Sequence, residues 1–147
     1  MVTRVGKILP DVSRRTFLRA SGGAVGGAWL ALQLPALVAL AEAAAAAREA
    51  GAAFLHLSSR EAAGFEAIAA RIIPTDETPG AREAGVVHFI DQSLGGFMAD
   101  AAGALRDGLE VLDTLASDAF EGEPFADLGP AAQDGLLREI EDTPFSS

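Results

Sequence analysis

The sequence predicts an all-α protein, a small bundle of about four helices that follows an N-terminal signal segment. Alanine is abundant, runs of β-branched residues are few and tyrosine is absent, and this composition favours helices over strands. Apolar residues recur at helical spacing in several stretches beyond residue 58. Proline and glycine separate these stretches, so each predicted helix ends at a predicted turn.

The N-terminal segment is basic at its start and uncharged from Ala20 to Ala41. Two adjacent arginines, followed by an aromatic residue and a leucine, stand directly before that uncharged run. This order is typical of a twin-arginine export signal, which the twin-arginine translocase reads as an address. The residues of the motif are Ser13, Arg14, Arg15, Phe17 and Leu18. We therefore expect export to the periplasm by the twin-arginine route.

Small residues near the end of the uncharged run form Ala-x-Ala cleavage sites, and we expect processing after Ala41 or Ala43. A retained membrane anchor is the alternative, because about 20 apolar residues can span a bilayer. A dinucleotide-binding glycine loop is rejected, since no strand is predicted before Gly22 and no acidic residue follows at the required distance. The predicted division is a signal peptide at 1–43, an alanine-rich connector at 44–57 and a helical domain at 58–147.

The predicted mature chain is strongly acidic. The sequence has 11 basic and 21 acidic side chains, and the first 43 residues hold five of the basic and two of the acidic ones. Six basic and nineteen acidic residues therefore remain from Ala44 onwards, a net charge of −13. Such a surface repels nucleic acid, so we exclude DNA or RNA as a partner.

The first predicted helix begins after Ser58, because Ser58 and Glu61 have the spacing of a capping box. It ends before Pro74, which cannot continue a helix. A turn-rich loop follows, in which the adjacent acids Asp76 and Glu77 favour a solvated loop over an acid/base pair. The predicted apolar face comprises Phe65, Ile68, Ala69 and Ile72.

The second helix is predicted to have Thr78 as its N-cap and Pro79 at its first position. Gly95 and Gly96 disfavour the helical conformation, so the helix is expected to weaken near its C-terminal end. Its predicted buried side comprises Val86, Phe89, Ile90, Leu94 and Phe97.

The third helix is predicted from about Asp100 to Phe120, and Pro130 opens the fourth. Phe125 and Leu128 are expected to anchor the loop between them. The predicted seam of the third helix comprises Leu105, Leu109, Leu112 and Ala116, and its predicted outward residues are Arg106, Asp107, Glu110 and Asp113.

Catalytic and metal-binding patterns are missing from the sequence. There is no cysteine, and the two histidines, His56 and His88, lie far apart without a partner at ligand spacing. No nucleophile elbow or phosphate-binding loop is present either. We interpret the chain as a helical accessory subunit with no catalytic, cofactor or metal residues of its own. An enzyme with an unrecognised site is one alternative.

Two stretches resemble the gluconate 2-dehydrogenase subunit 3 family. The first runs from Glu66 to Asp91 and contains Ile-Ile-Pro-Thr-Asp, Pro-Gly-Ala and Phe-Ile-Asp; the second is Phe125 to Leu137. A twin-arginine leader is also usual in that family. The sequence ends before the aromatic-rich and glycine-rich segments with which members usually continue, so we expect the C-terminal part of the family to be missing.

The resemblance implies a small subunit without its own redox centre. Its partner would be a large GMC-type flavin dehydrogenase that carries FAD and oxidises a sugar, sugar acid or alcohol in the periplasm. A multihaem cytochrome c, with haem c, often completes such complexes. The small subunit would assist maturation of the flavin subunit and carry it across the membrane. The alternative is an independent periplasmic or membrane-anchored helical binding protein.

A partner interface is expected where apolar area is left over once a small helical core has closed. The candidates in the loop after the first helix are Pro74, Thr75, Asp76, Pro79 and Gly80. The aromatic candidates are Phe89, Phe97, Phe120 and Phe125, for which ordinary core packing is the competing interpretation.

Overall fold

The computed structural model describes residues 27–142, which contain six α-helices, two 3₁₀ turns and no strand. The all-α prediction is confirmed. The helices are α1 (Gly27–Glu49), α2 (Ser59–Ile72), α3 (Ala81–Ala84), α4 (Val86–Leu94), α5 (Ala102–Ala119) and α6 (Pro130–Asp142), and the 3₁₀ turns span Ala99–Ala101 and Phe125–Asp127.

The chain divides into two compact units, residues 1–38 and residues 39–147. In the described part of the first unit, Leu32, Leu34 and Val38 of α1 are exposed. The stretch Ala31–Glu49 is long and apolar enough to cross a membrane, and it lies near the N-terminus, where signal sequences have the same properties.

The capping box predicted at the start of α2 is confirmed. The Glu61 backbone N–H donates to the Ser58 hydroxyl over 3.2 Å, and the Ser58 backbone N–H donates to the Glu61 carboxylate over 2.7 Å. The backbone bond from Ser58, followed by the bond to its side chain, lowers the pKa of the Glu61 carboxyl. The helix ends at Ile72, two residues before Pro74, as predicted.

The predicted second helix is wrong in its start and its continuity. Helix α3 begins only at Ala81, because the Thr78 hydroxyl donates to Asp76 instead of capping a helix. Gly85 then adopts a left-handed conformation with φ +68°, which separates the single turn of α3 from α4. Phe97 lies beyond the end of α4 and is 55% exposed, so its predicted burial is wrong.

The core of the second unit consists of two hydrophobic clusters, and α2 and α5 contribute to both. The first cluster comprises Leu57, Ala62, Phe65, Val87, Leu94 and Leu109. The second comprises Ala67, Leu112, Ala116, Phe125, Leu128 and Leu136. Ile68 of α2 packs against both clusters, which makes α2 the central helix of this core. The expected anchoring by Phe125 and Leu128 is confirmed.

A buried carboxylate on α4 organises the segment that leads into α2. Asp91 is only 2% exposed, and its two oxygens accept three backbone N–H bonds, from Leu55, His56 and Leu57, over 2.8–2.9 Å. Arg106 of α5 donates to the carbonyl of His56 over 2.7 Å, so the same segment is held from a second helix. These bonds place Leu57 in the first cluster.

The orientation predicted for Asp113 is wrong, because its side chain is buried rather than outward. Its carboxylate accepts the backbone N–H of Phe125 over 3.0 Å and the guanidinium of Arg60 over 3.1 Å. Gln133 of α6 donates to the Phe125 carbonyl over 2.9 Å. Asp113 and Gln133 therefore fix the 3₁₀ turn that inserts Phe125 into the second cluster.

The substitution Asp91→Asn tests this carboxylate. We expect it to lower the free energy of unfolding by about 2–4 kcal/mol, because hydrogen bonds to a charged acceptor contribute about 1.5–3 kcal/mol and an amide offers one oxygen instead of two. The measurement is urea unfolding followed by circular dichroism. Asp107→Asn, at an exposed position of α5, is the control and should change the value by less than about 0.5 kcal/mol. Equal stability of the two variants would contradict the assigned role.

Candidate functional site

The loop between α2 and α3 is closed by backbone bonds at its base. The N–H of Ala81 donates to the carbonyl of Ile73 over 2.9 Å, which joins the two ends of the loop. Within the loop, the N–H of Asp76 donates to the carbonyl of Thr78 over 3.2 Å. We call residues 74–80 the α2–α3 loop. Its conformation is set by bonds within the chain.

Asp76 stabilises the tip of this loop. Its carboxylate accepts the backbone N–H of Thr78 over 2.8 Å and the Thr78 hydroxyl over 2.9 Å. This is an Asx turn, in which a short acidic side chain replaces a backbone acceptor. The backbone bond from Thr78, followed by the hydroxyl bond, lowers the pKa of the Asp76 carboxyl below its ordinary value.

Glu83 of α3 holds the other side of the loop. Its carboxylate accepts the Thr75 hydroxyl over 2.6 Å and the backbone N–H of Gly80 over 3.0 Å. The hydroxyl bond from Thr75 is the largest cause of a lowered pKa at Glu83. One carboxylate therefore links the start of the loop to its end.

Gly80 is required by space, because the loop folds closely over it. A Cβ at this position would lie 2.6 Å from the Thr75 nitrogen and 2.7 Å from the Ile73 carbonyl oxygen. Both are backbone atoms, which cannot move away without opening the loop. Gly80 is buried, while Pro74, Thr75 and the other residues of the loop are exposed.

The exposed loop stands beside two exposed isoleucines. Ile72, at the end of α2, is 72% exposed and Ile73 is 54% exposed. Two consecutive large apolar side chains next to a rigid loop make a surface that can bury apolar area against a partner at a small cost in conformational entropy. Four of the five loop candidates are exposed next to Ile72 and Ile73, whereas Gly80 is buried.

The aromatic candidates are distributed differently. Phe89 is half-buried in α4 and lines a cavity of about 280 Å³ with residues such as Ala44 and Arg48 of α1. Phe97 is exposed and Phe120 is half-buried. Phe125 is completely buried in the second cluster, so its side chain is not on the surface of the described residues.

Other predicted residues lie outside this surface. The export motif Ser13, Arg14, Arg15, Phe17 and Leu18 precedes the described residues. The His88 ring lies near that of Phe54, with ring centroids 5.0 Å apart and the two planes inclined by 31°, and His56 is exposed. Residues 27–142 contain no group of three or more histidines or carboxylates placed to hold a metal ion.

A family model described as gluconate 2-dehydrogenase subunit 3 matches residues 59–146, more than half of the chain. The chain belongs to this family. Comparisons with curated proteins and with solved structures found no match. The matched range begins at the first residue of α2 and includes the whole α2–α3 loop. Gluconate 2-dehydrogenase subunit 3 proteins are small subunits of dehydrogenase complexes, so membership implies partnership with gluconate dehydrogenase subunits.

The roles of several residues in the α2–α3 loop and in the fold were not predicted from the sequence. Glu83 stands three residues after Gly80, and this spacing of a capping box was available as a signal. The predicted burial of Ile72 is wrong: helical periodicity placed it on the apolar face of α2, but it is 72% exposed at the end of the helix. Asp91 was noted in the sequence only as the last residue of the Phe-Ile-Asp motif. Its role was not predicted, because a carboxylate that accepts backbone N–H bonds from residues 34–36 positions earlier leaves no local pattern.

The substitution Gly80→Ala tests the tight fold of the loop. We expect it to lower the free energy of unfolding by about 1–3 kcal/mol, because the added methyl group overlaps backbone atoms. Gly135→Ala in α6 is the matched control, since a Cβ there meets no atom within 4 Å. The control should be neutral or raise the value by about 0.5–1 kcal/mol. Unfolding curves of both variants in urea decide the matter; equal shifts would contradict the close packing.

The lowered pKa of Asp76 gives the loop a defined pH dependence. Because the pKa is lower in the folded state, this carboxylate stabilises the loop above the ordinary aspartate value of about 3.9, and the contribution disappears as the pH falls through the lowered pKa. A titration of the side-chain carboxyl by NMR should therefore show a midpoint below about 3.9. Thr78→Val should raise this midpoint only part of the way towards the ordinary value, because the backbone N–H of residue 78 still donates to the carboxylate. A wild-type midpoint at or above the ordinary value would refute the Asx turn.

Proposed function

We propose that this protein is the non-catalytic small subunit of a periplasmic FAD-dependent dehydrogenase that oxidises a sugar, sugar acid or alcohol. It binds the large flavin subunit, assists its maturation and escorts it through the twin-arginine translocase. In this complex FAD belongs to the large GMC-type subunit, and a multihaem cytochrome c with haem c completes the electron path. The reaction takes place on the partner, and this chain contributes recognition and the export address.

The observation that carries the proposal is the α2–α3 loop with its two exposed isoleucines. Asp76 and Glu83 use their carboxylates to hold the loop rather than to react with a substrate. The result is a rigid, exposed surface with adjacent apolar area, the combination expected of a site that recognises a protein. It lies within the residues that the family model matches.

The export role is supported by the leader. A pair of folded subunits needs only one address, so the adjacent Arg14 and Arg15 of this chain can serve a partner that lacks one. The apolar helix α1 follows the arginines, in the order that an export signal requires.

A second candidate function is an independent helical binding protein that stays attached to the membrane. It is favoured by the stretch Ala31–Glu49, which is long and apolar enough to span a bilayer. The mass of the exported chain separates the two candidates. A chain that starts at Glu42 or Ala44 supports the released subunit, and an unprocessed chain supports the anchor.

Replacement of Arg14 and Arg15 by lysines tests the escort function. The gene is expressed together with that of the large flavin subunit, and the amount of flavin subunit in the periplasm is measured. We expect at least a tenfold decrease, because the translocase reads the arginine pair and the flavin subunit has no address of its own.

The matched control replaces Arg4 and Arg19 by lysines, which changes the same number of arginines outside the pair. This control should leave export unchanged. Undiminished export of the flavin subunit with the Arg14→Lys, Arg15→Lys chain would show that the escort function is wrong.

A further inference from the structure

Helix α5 has a second apolar surface on a side that the core does not use. Its core side comprises Leu109, Leu112 and Ala116. At helical spacing on another face stand four exposed residues, Ala104, Gly108, Val111 and Leu115, which we call the α5 strip. Val111 is 59% exposed and Leu115 is 40% exposed.

The strip has the dimensions of a helix-binding surface. From Ala104 to Leu115 the strip covers 12 residues, and the 11 steps between its ends correspond to about 16 Å at 1.5 Å per residue. A Cβ at Gly108 would meet no atom within 4 Å, so this position is open to the approach of another chain. Apolar side chains at this spacing can pack against about three turns of a partner helix.

One edge of the strip is acidic, and its three exposed carboxylates form no ion pair within residues 27–142. Asp107, Glu110 and Asp118 are exposed and line an open groove of about 640 Å³ between α5 and the start of α2. The two arginines that line the same groove are paired with two other carboxylates of its lining. Arg60 pairs with Asp113, and Arg106 pairs with Glu61 and the carbonyl of His56.

This charge pattern determines the kind of occupant. A second copy of the chain would bring the same row of acids against itself, and the net charge of −13 from Ala44 onwards adds further repulsion. A segment that carries lysines or arginines beside its apolar residues would instead neutralise Asp107, Glu110 and Asp118.

We infer that the α5 strip is a second docking surface, and that it binds a helix of the large flavin subunit whose apolar face is flanked by lysine or arginine residues. The inference rests on the proposed function for the identity of the partner. It adds a surface on a different helix from the α2–α3 loop. The acids speed the encounter and fix the orientation, while Val111 and Leu115 supply the apolar area.

The test measures binding of the full chain to the purified large flavin subunit by surface plasmon resonance at several salt concentrations. We expect Asp107→Lys, Glu110→Lys and Asp118→Lys together to weaken binding at least tenfold at low salt and to remove most of its salt dependence. Val111→Ser with Leu115→Ser should weaken binding at least tenfold while the salt dependence remains. These side chains are exposed, and circular dichroism verifies that the variants fold.

The control reverses three exposed acids on other elements, Asp127→Lys, Glu141→Lys and Asp142→Lys, with the same change in net charge. If the control variant binds with wild-type affinity, the acids beside the strip act locally, as inferred. If both triple variants bind equally weakly, the effect comes from net charge alone and the inference is overturned. A wild-type chain that does not bind the flavin subunit refutes the proposed function itself. Normal binding by the strip variants, with weak binding by Ile73→Asp beside the loop, overturns only the strip.

Discussion

The carboxylate of Asp91 accepts backbone bonds from three consecutive residues, Leu55, His56 and Leu57. A buried charge without partners would be strongly unfavourable, so these bonds and the burial of the carboxylate depend on each other. Together they fix where the chain enters α2, and Arg106 adds a bond from α5 to the same segment. The position of α2 determines both hydrophobic clusters, and its end carries the α2–α3 loop.

Four carboxylates of the described residues hold segments between helices. Asp91, Asp113, Asp76 and Glu83 each accept at least one backbone N–H bond. Each fixes a segment that lies between helices, where the backbone has no helical partner for its N–H groups. An exposed segment that is held in this way, such as the α2–α3 loop, loses little conformational entropy on binding, which suits a subunit that binds a partner. Membership in the gluconate 2-dehydrogenase subunit 3 family agrees with such a role.

Local signals in the sequence predicted the fold class and most helix boundaries. The capping box at Ser58, the stop before Pro74 and the start at Pro130 depend on neighbouring residues, and each was found where predicted. The burial of Asp113 was not predicted, because helical periodicity assigns charged residues to the outer face of a helix. Its carboxylate instead points inward, where it accepts the backbone N–H of Phe125. The loop residues were predicted as a candidate surface, but the exposure of Ile72 and Ile73 depends on which helices pack against the end of α2.

The most direct test of the central claim, that this chain recognises a flavoprotein instead of catalysing a reaction, is purification of the exported chain from the periplasm under native conditions. Mass spectrometry and flavin absorbance then report its companions. The account predicts a large flavoprotein in a fixed ratio, with dehydrogenase activity that remains with the flavoprotein after the two are separated. Recovery of this chain alone, with dehydrogenase activity of its own, would contradict the account.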